Sequence, residues 1–348
     1  MFQITTFFDL YAHCEERVKR VTKQSHPTYC HSEHIRFAQC KLREESRIII
    51  NVPASIGNVG PGFDVLGLAI SLYNTLEVKI LSTKPGKPSI HISGQGSDTL
   101  PTDRSNVCYQ AFASVFNRLG RGIPQVEMHL TNKIPLARGL GSSACARLAG
   151  ALAANAICNS KLSETEIVNL VARMEGHPDN VAASMWGGLV ASIPVGKNEW
   201  IYQKIQVAKG LSIALAIPDF EVSTPEARAI LPEKVPLSDA VFNLSRVVSL
   251  VNALGQGDKP LLRLALQDRL HQQYRAKLIP GFNDVLACAE KAGVLGSAIS
   301  GSGPTIFAIC SSRTSANKVA SAMSRAFSRT AVNSTPLVTS ICHNTTRH

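Results

Sequence analysis

The chain has no unbroken apolar run of the ~18 residues that a membrane-spanning helix requires. No membrane partner is therefore expected. It has no Cys-x-x-Cys pair, and its nine cysteines are an odd number. Several of them (Cys108, Cys145, Cys158 and Cys288) fall in apolar helical patterns. That argues against a disulfide framework and suits reduced, buried thiols in the cytoplasm. Aromatic residues make up 6% of the chain and charged residues 18%. The formal net charge of +11 invites a nucleic-acid reading. Long basic blocks and interleaved aromatics are both missing, however, so no nucleic-acid partner is expected. A diffuse positive surface that draws in small anions fits as well. There is no internal repeat. At 348 residues the chain is long enough for one large or two moderate domains.

Residues 1–47 differ from the rest. They hold three cysteines, four of the ten histidines and six acidic residues, with little periodicity. A basic n-region and a long apolar core are both lacking, so a secretory signal is not expected. The acidic residues also make the segment a poor organelle transit peptide. Cys30, His31, His34 and Cys40 could be drawn as a metal site, but their spacing matches no familiar zinc pattern. The expectation is a poorly ordered extension.

What is present is glycine in clusters. Pro135-Leu136-Ala137-Arg138-Gly139-Leu140-Gly141-Ser142-Ser143-Ala144 leaves an apparent strand (125–131) and opens a small-residue helix (144–158). Gly139 and Gly141 let the backbone approach a ligand closely. The first helix amides lack internal acceptors, and the dipole adds positive potential, so a phosphate is the natural occupant. No Gly-Lys-Ser/Thr follows, so this is not the common phosphate loop. The residues do fit a loose dinucleotide pattern, with Gly139, Gly141 and Ala144 as G-x-G-x-x-A. Against that, no acidic residue ends a second strand at the required distance.

Two further clusters flank it. An apolar strand over 47–52 leads into 53–64, a stretch so dense in Gly and Pro that a shaped loop is expected there. Asn58 and Asp64 are its strong polar groups. Residues 297–308 read as strand, Gly-rich loop, strand. Between the clusters, Ser105 is expected to cap a helix over 106–119. Ser163 and Glu166 form a capping box for a helix running to 174. Glu175-Gly176-His177-Pro178-Asp179-Asn180 breaks that helix, and Asp179 is expected to cap the next. A second half begins near residue 209. Its helix at 223–228 has Pro at its first position and sets Thr224 and Arg228 one turn apart. Helices and strands mix in both halves without strict alternation, which points to an α+β fold.

The three glycine-rich blocks, in this order, resemble the GHMP kinase superfamily. Pro135 to Ala144 looks like its second motif, and Ser300-Gly301-Ser302-Gly303-Pro304-Thr305 like its third. Within the superfamily, residues 52–67, 175–181 and 223–228, with Tyr274-Arg275 before 278–281, are similar to homoserine kinases. The resemblance covers residue 48 to the C-terminus. It implies a two-domain fold: a ribosomal protein S5 domain 2-like ATP-binding domain over 48–208, and a ferredoxin-like domain over 209–348. It also implies ATP-dependent phosphorylation of L-homoserine to O-phospho-L-homoserine, on the route to threonine, by a cytoplasmic homodimer. The resemblance leaves open a second small-alcohol kinase, such as one acting on mevalonate. An RNA-associated S5-like module is a further alternative.

Residue roles follow from the same resemblance. Pro135 to Cys145 would wrap the ATP phosphates. Ser143, or else Ser142, would join Glu175 in holding Mg²⁺, a hard cation that takes oxygen ligands. Arg228 and Arg275 would grip the substrate carboxylate, where a planar fork favours Arg. Asn58 and Asp64 would face the amine and hydroxyl ends. His177, Asn180, Thr224 and Gly301 would complete the pocket. Some relatives carry an Asp general base near the position of Asn180. An amide cannot take a proton, so no base is expected there, and Asp64 is the fallback.

Overall fold

The structure is a computed structural model, and it describes residues 47–343. The expectation of a poorly ordered extension, and the Cys30–Cys40 cluster, fall almost wholly outside the described residues. The described chain builds two sheets. The larger is six-stranded: β1 (Arg47–Gly57), β2 (Leu66–Pro85), β3 (Ser89–Gly94), β4 (Pro124–Asn132), β5 (Leu189–Gly196) and β6 (Glu199–Ile205). Its order is β3-β4-β2-β5-β6, with β1 also paired to β2. Only the β3–β4 pair is parallel; the other pairings are antiparallel.

The sequence led us to end the first strand at Val52. Instead β1 runs on to Gly57, through Pro53 and Ala54, where the register with β2 shifts. A bulge is one of the few places a strand admits proline, because the ladder bond that Pro cannot donate is already lost there. The irregular loop is therefore confined to residues 58–65. β2 is long, at 20 residues. Its length lets it pair with β1 along one side while handing its other edge to β4 and then β5.

Helices α1 (Val107–Arg118), α2 (Ser142–Ile157), α3 (Glu164–Glu175) and α4 (Asp179–Trp186) belong to this sheet's half. Asn106 rather than Ser105 caps α1, its side chain accepting from the Cys108 amide; Ser105 bonds Asp103 instead. The Ser163–Glu166 capping box on α3 is present as expected. α2 is buried on nearly every face. Alanine and glycine suit that position, because they let α1 and β1 approach the helix axis. β2, α1 and α2 share one core, with Phe112, Met128, Leu148 and Ile56 fully buried in it.

The second sheet holds β7 (Ser212–Pro218), β8 (Gly296–Ile299), β9 (Ile306–Cys310) and β10 (Ser334–Ser340), in the antiparallel order β10-β7-β9-β8. Helices α5 (Thr224–Ala229), α6 (Leu237–Gln256), α7 (Lys259–Ala265), α8 (Gln272–Arg275) and α9 (Phe282–Lys291) connect β7 to β8, and α10 (Arg313–Ser328) connects β9 to β10. This β-α-β-β-α-β course is the ferredoxin-like pattern. After β10 the chain returns to the first sheet, where the Cys342 amide donates to the Ala69 carbonyl at 3.0 Å. Among the described residues no helix is long and apolar enough to cross a membrane. Five of their six cysteines are buried.

Candidate active site

The three glycine-rich blocks converge on one cleft of about 320 Å³. Its floor is the loop entering α2. Gly141 sits at the N-cap with φ 69° and carries no side chain to cap the helix, so the first amides of α2 stay available. No acidic residue occupies the first turn. The helix dipole there is thus left for a ligand to balance. Gly139 adopts φ +71°, and a Cβ on it would lie 2.1 Å from the Ser300 carbonyl oxygen. The third block packs that closely against the second. Ser300 Oγ also donates to the Gly139 carbonyl at 2.6 Å. The third block is a buttress for the phosphate loop as much as a wall of the cleft.

Ala137 through Ala144 line the cleft. Pro135, Leu136 and Cys145, expected with them, do not. The Cys145 thiol is fully buried and turned toward the Val52 carbonyl, 3.2 Å away. Arg138 faces the cleft but spends its guanidinium on the carbonyls of Pro218 and Asp219, at 2.8 and 2.5 Å, and on Glu221. It fastens the loop to the second sheet.

Ser143 and Glu175 meet where α2 begins and α3 ends. Ser143 Oγ donates to Glu175 Oε1 at 2.8 Å. A hydroxyl and a carboxylate beside an anion cradle are donors a hard divalent ion accepts. The sequence reading missed the third member. Arg147, one turn along α2 from Ser143, sets its Nη1 against both Ser143 Oγ and Glu175 Oε1. Its Nε is buried without a partner. An i, i+4 spacing from Ser143 was the available signal.

Asn58, Asp64, His177, Asn180, Thr224, Arg228, Arg275 and Gly301 all line the same cleft. Their hydrogen bonds divide them. Asn58 is buried and fully engaged with backbone: its Nδ2 donates to the Gly301 carbonyl at 2.9 Å, and its Oδ1 accepts from the Asp64 amide at 3.0 Å. Asn180 Oδ1 accepts from Ser55 Oγ at 3.2 Å. Arg228 grips Asp64 with two parallel bonds of 2.9 and 2.8 Å. Burial opposes the Arg228 charge, but Asp64 outweighs it and raises the pKa.

Arg275 is 2% exposed and lies over the Phe63 ring, 5.3 Å from its centroid. Its Nη1 donates to the Gly301 carbonyl at 2.9 Å and its Nε to the Ala227 carbonyl at 3.2 Å. Burial, assisted by Arg228, lowers its pKa to about 10. It stays charged at neutral pH. Behind it His271 is fully buried, and its Nε2 donates to the Gly60 carbonyl at 2.8 Å. Burial, with Arg275 adding to it, lowers the His271 pKa. The ring is thus neutral, with Nδ1 turned to Arg275.

Asp179 is not the expected N-cap. Pro178 holds that position, and the Asp179 carboxylate turns back to His177 Nδ1 at 2.7 Å and to the Asn58 amide at 3.1 Å. The pair is nearly buried. Burial opposes the Asp179 charge, but His177 and the amides of Asn180 and Asn58 outweigh it and lower the pKa. For His177 burial again opposes the charge, while Asp179, Glu175 and Asp64 raise the pKa.

Family models for the GHMP kinases N-terminal domain and the GHMP kinases C-terminal region match residues 106–188 and 250–329. The chain is 44% identical to a homoserine kinase of Moorella thermoacetica, over 82% of this chain and 95% of that one. It is 41% identical to a homoserine kinase of Picosynechococcus, over 80% and 92% of the two chains. A solved homoserine kinase of Cytophaga hutchinsonii superposes with a TM-score of 0.79 at 32% identity, covering 90% of this chain and 99% of that one. Mevalonate kinase of L. major shares the fold at a TM-score of 0.65 and 15% identity, covering 86% and 98%. The two-domain α+β architecture is that of these kinases, and the chain belongs to the homoserine kinase family within the GHMP kinases.

Proposed function

We propose that the protein transfers the γ-phosphoryl group of ATP to the side-chain hydroxyl of L-homoserine. The observation that carries this beyond family membership is the Arg228–Asp64 pair in the same cleft as an uncapped helix N-terminus. The helix end suits a phosphate. The pair suits an amino acid: opened, it offers a cation to a carboxylate and an anion to an ammonium. Mevalonate carries no ammonium and has no use for Asp64. A coupled ADP assay over homoserine, mevalonate and serine tests the reading. Turnover of mevalonate and not homoserine overturns it.

Phosphoryl transfer needs positioning and charge neutralisation more than covalent help. Ala137 to Ala144 offer backbone amides to the phosphates. Ser143 and Glu175 would hold Mg²⁺, whose contribution is to neutralise phosphate charge. The Arg147 guanidinium compensates Glu175, and it would have to yield that contact to an ion held there. Arg228 and the remaining N–H groups of Arg275 bind the substrate carboxylate. Asn58 and Gly301 shape the pocket through their backbone contacts, while His177, Asn180 and Thr224 close it. Asn180 takes no proton, and Asp64, once parted from Arg228, is engaged by the substrate ammonium. The alcohol is therefore oriented by the site and loses its proton late, to phosphate or solvent.

A homodimer is supported by one apolar stripe on α6. Leu237, Val241, Leu244 and Val248 recur at three- and four-residue steps and are 56–80% exposed. A cytoplasmic location is supported by the buried thiols of Cys108, Cys145, Cys158 and Cys310. A chain beginning at Arg47 is expected to keep its activity, since β1 starts there.

A further inference from the structure

We propose a second metal site, for a borderline transition ion such as Zn²⁺ or Cu²⁺, on the outer face of the larger sheet. Its ligands are His91 of β3 with Glu127 and His129 of β4. Parallel pairing sets His91 directly beside His129 and Ser89 beside Glu127. Alternation then turns all four side chains to the solvent side, away from Val126, Met128 and Leu130 in the core. The two imidazoles stack with centroids 4.7 Å apart and planes 16° from parallel. His91 Nε2 and His129 Nε2 lie 3.5 and 3.6 Å from the same oxygen, Glu127 Oε1. All three ligand atoms fall within 4.8 Å of one another.

Those separations fit an ion. Ligands held about 2.0–2.1 Å from a tetrahedral centre are about 3.3–3.4 Å apart. The two imidazole-to-carboxylate edges are already near that value; to close the third, the rings swing out of their stacked pose so that both in-plane lone pairs converge on the ion. Three protein ligands leave a fourth position for water. Imidazole nitrogen selects Zn²⁺ or Cu²⁺ over Mg²⁺, which separates this site from the Ser143–Glu175 pair by ligand softness. The remaining charged neighbours on this face do not prevent binding. Glu77 of β2, in register with His129, is held by Arg47, and Lys79, in register with Glu127, is a cation that a bound ion would face. On binding, His91 Nε2 gives up its contact with Ser89 Oγ at 3.1 Å. β3 is an edge strand whose sheet partner is β4. An ion held between them would staple that edge.

The test is Zn²⁺ titration of the full chain by calorimetry in excess Mg²⁺, comparing wild type with His91→Asn/His129→Asn. The wild type is expected to bind one equivalent that the double variant binds at least roughly tenfold more weakly. Its thermal midpoint should rise with Zn²⁺ while that of the variant should not. Cu²⁺ EPR of the wild type should show coupling to two nitrogens. Equal affinity and stoichiometry in both chains, or Cu²⁺ bound without nitrogen coupling, overturns the site. If circular dichroism shows the double variant unfolded, Glu127→Gln replaces it: weakened binding supports the site, and unchanged binding overturns it.

Discussion

Asp64 accepts both of its side-chain hydrogen bonds from Arg228, at 2.8 and 2.9 Å, in a cleft where each is about one-third exposed. On the proposed function, the pair would be a closed form of the receptor for a zwitterion. Arg228→Lys keeps the charge and loses the fork, so the KM for homoserine should rise roughly tenfold or more while the KM for ATP holds. Asp64→Asn should also act mainly on the homoserine KM. A loss of about a hundredfold in kcat would instead make Asp64 the general base. Steady-state kinetics with each substrate varied separates the two outcomes.

If Glu175 holds Mg²⁺ as proposed, Arg147, paired with the same carboxylate, would compete with it. Arg147→Met is expected to lower the Mg²⁺ concentration at half-saturation by about fivefold, the factor that ~1 kcal/mol of ion pairing represents. Glu175→Gln should raise it. Mn²⁺ binding followed by EPR on the nucleotide-loaded protein gives the same comparison without turnover. An unchanged affinity in Arg147→Met would show that the guanidinium does not hold the metal seat.

Gly139→Ala and Gly120→Ala place the same methyl group at positive φ with different surroundings. At Gly120, φ +62°, a Cβ meets nothing within 4 Å, so the cost is the left-handed backbone alone, about 1–2 kcal/mol. At Gly139 it meets the Ser300 carbonyl oxygen and the Gly303 backbone. Gly139→Ala should lower thermal stability further and raise the KM for ATP; Gly120→Ala should leave the KM unchanged. Thermal melts and ATP saturation curves read both.

His177 and Asp179 make stability depend on pH in a definite direction. The folded pKa of His177 lies above its ordinary value near 6.5, so its contribution is complete below that value and fades as pH rises through the folded pKa. Asp179, depressed below 3.8, adds stability that is lost only in acid. Urea titrations from pH 6 upward should show wild type losing stability relative to His177→Gln. Parallel curves would mean that the imidazole is not charged in the folded state. Asp179→Ala leaves that buried ring without its partner and should cost about 3–5 kcal/mol.

Leu244→Asp with Val248→Asp puts two charges on the exposed stripe of α6. If two copies meet there, the variant should run as a monomer on size exclusion with light scattering, at unchanged helix content. A wild type that is already monomeric removes the homodimer.

Much of this site was legible because its residue types carry their own geometry. Gly141 before Ser142 could be read as an open helix end, and Ser163 with Glu166 as a closed one, from local chemistry alone. Arg228 one turn from Thr224 was equally local. What could not be read depends on contacts between distant segments. Asp179 looked like a cap because Asp is among the preferred N-cap residues; only folding brings the Asn58 amide and the His177 ring to its carboxylate. Asn58 looked like a substrate ligand, but Gly301, 243 positions away, takes its amide. Pro53 looked like the start of a loop, because a strand bulge depends on a partner strand that the local pattern does not show. Arg147 has no local feature that marks it apart from other helix charges. Its role rests on Glu175 closing in from α3.

The sharing of the Gly301 carbonyl between Asn58 and Arg275 has a consequence for how the protein comes into being. Asn58 is among the first described residues to leave the ribosome, and Gly301 follows 243 residues later. Ser300, which braces Gly139, emerges with it. A growing chain can complete the larger sheet and α2 well before that point, yet its phosphate loop has no brace and its amino-acid pocket no wall. Contacts of such long sequence separation form late. The nascent protein is therefore catalytically silent until its last strands are made. Any truncation upstream of β8 should leave a chain with much of its core and no working cleft.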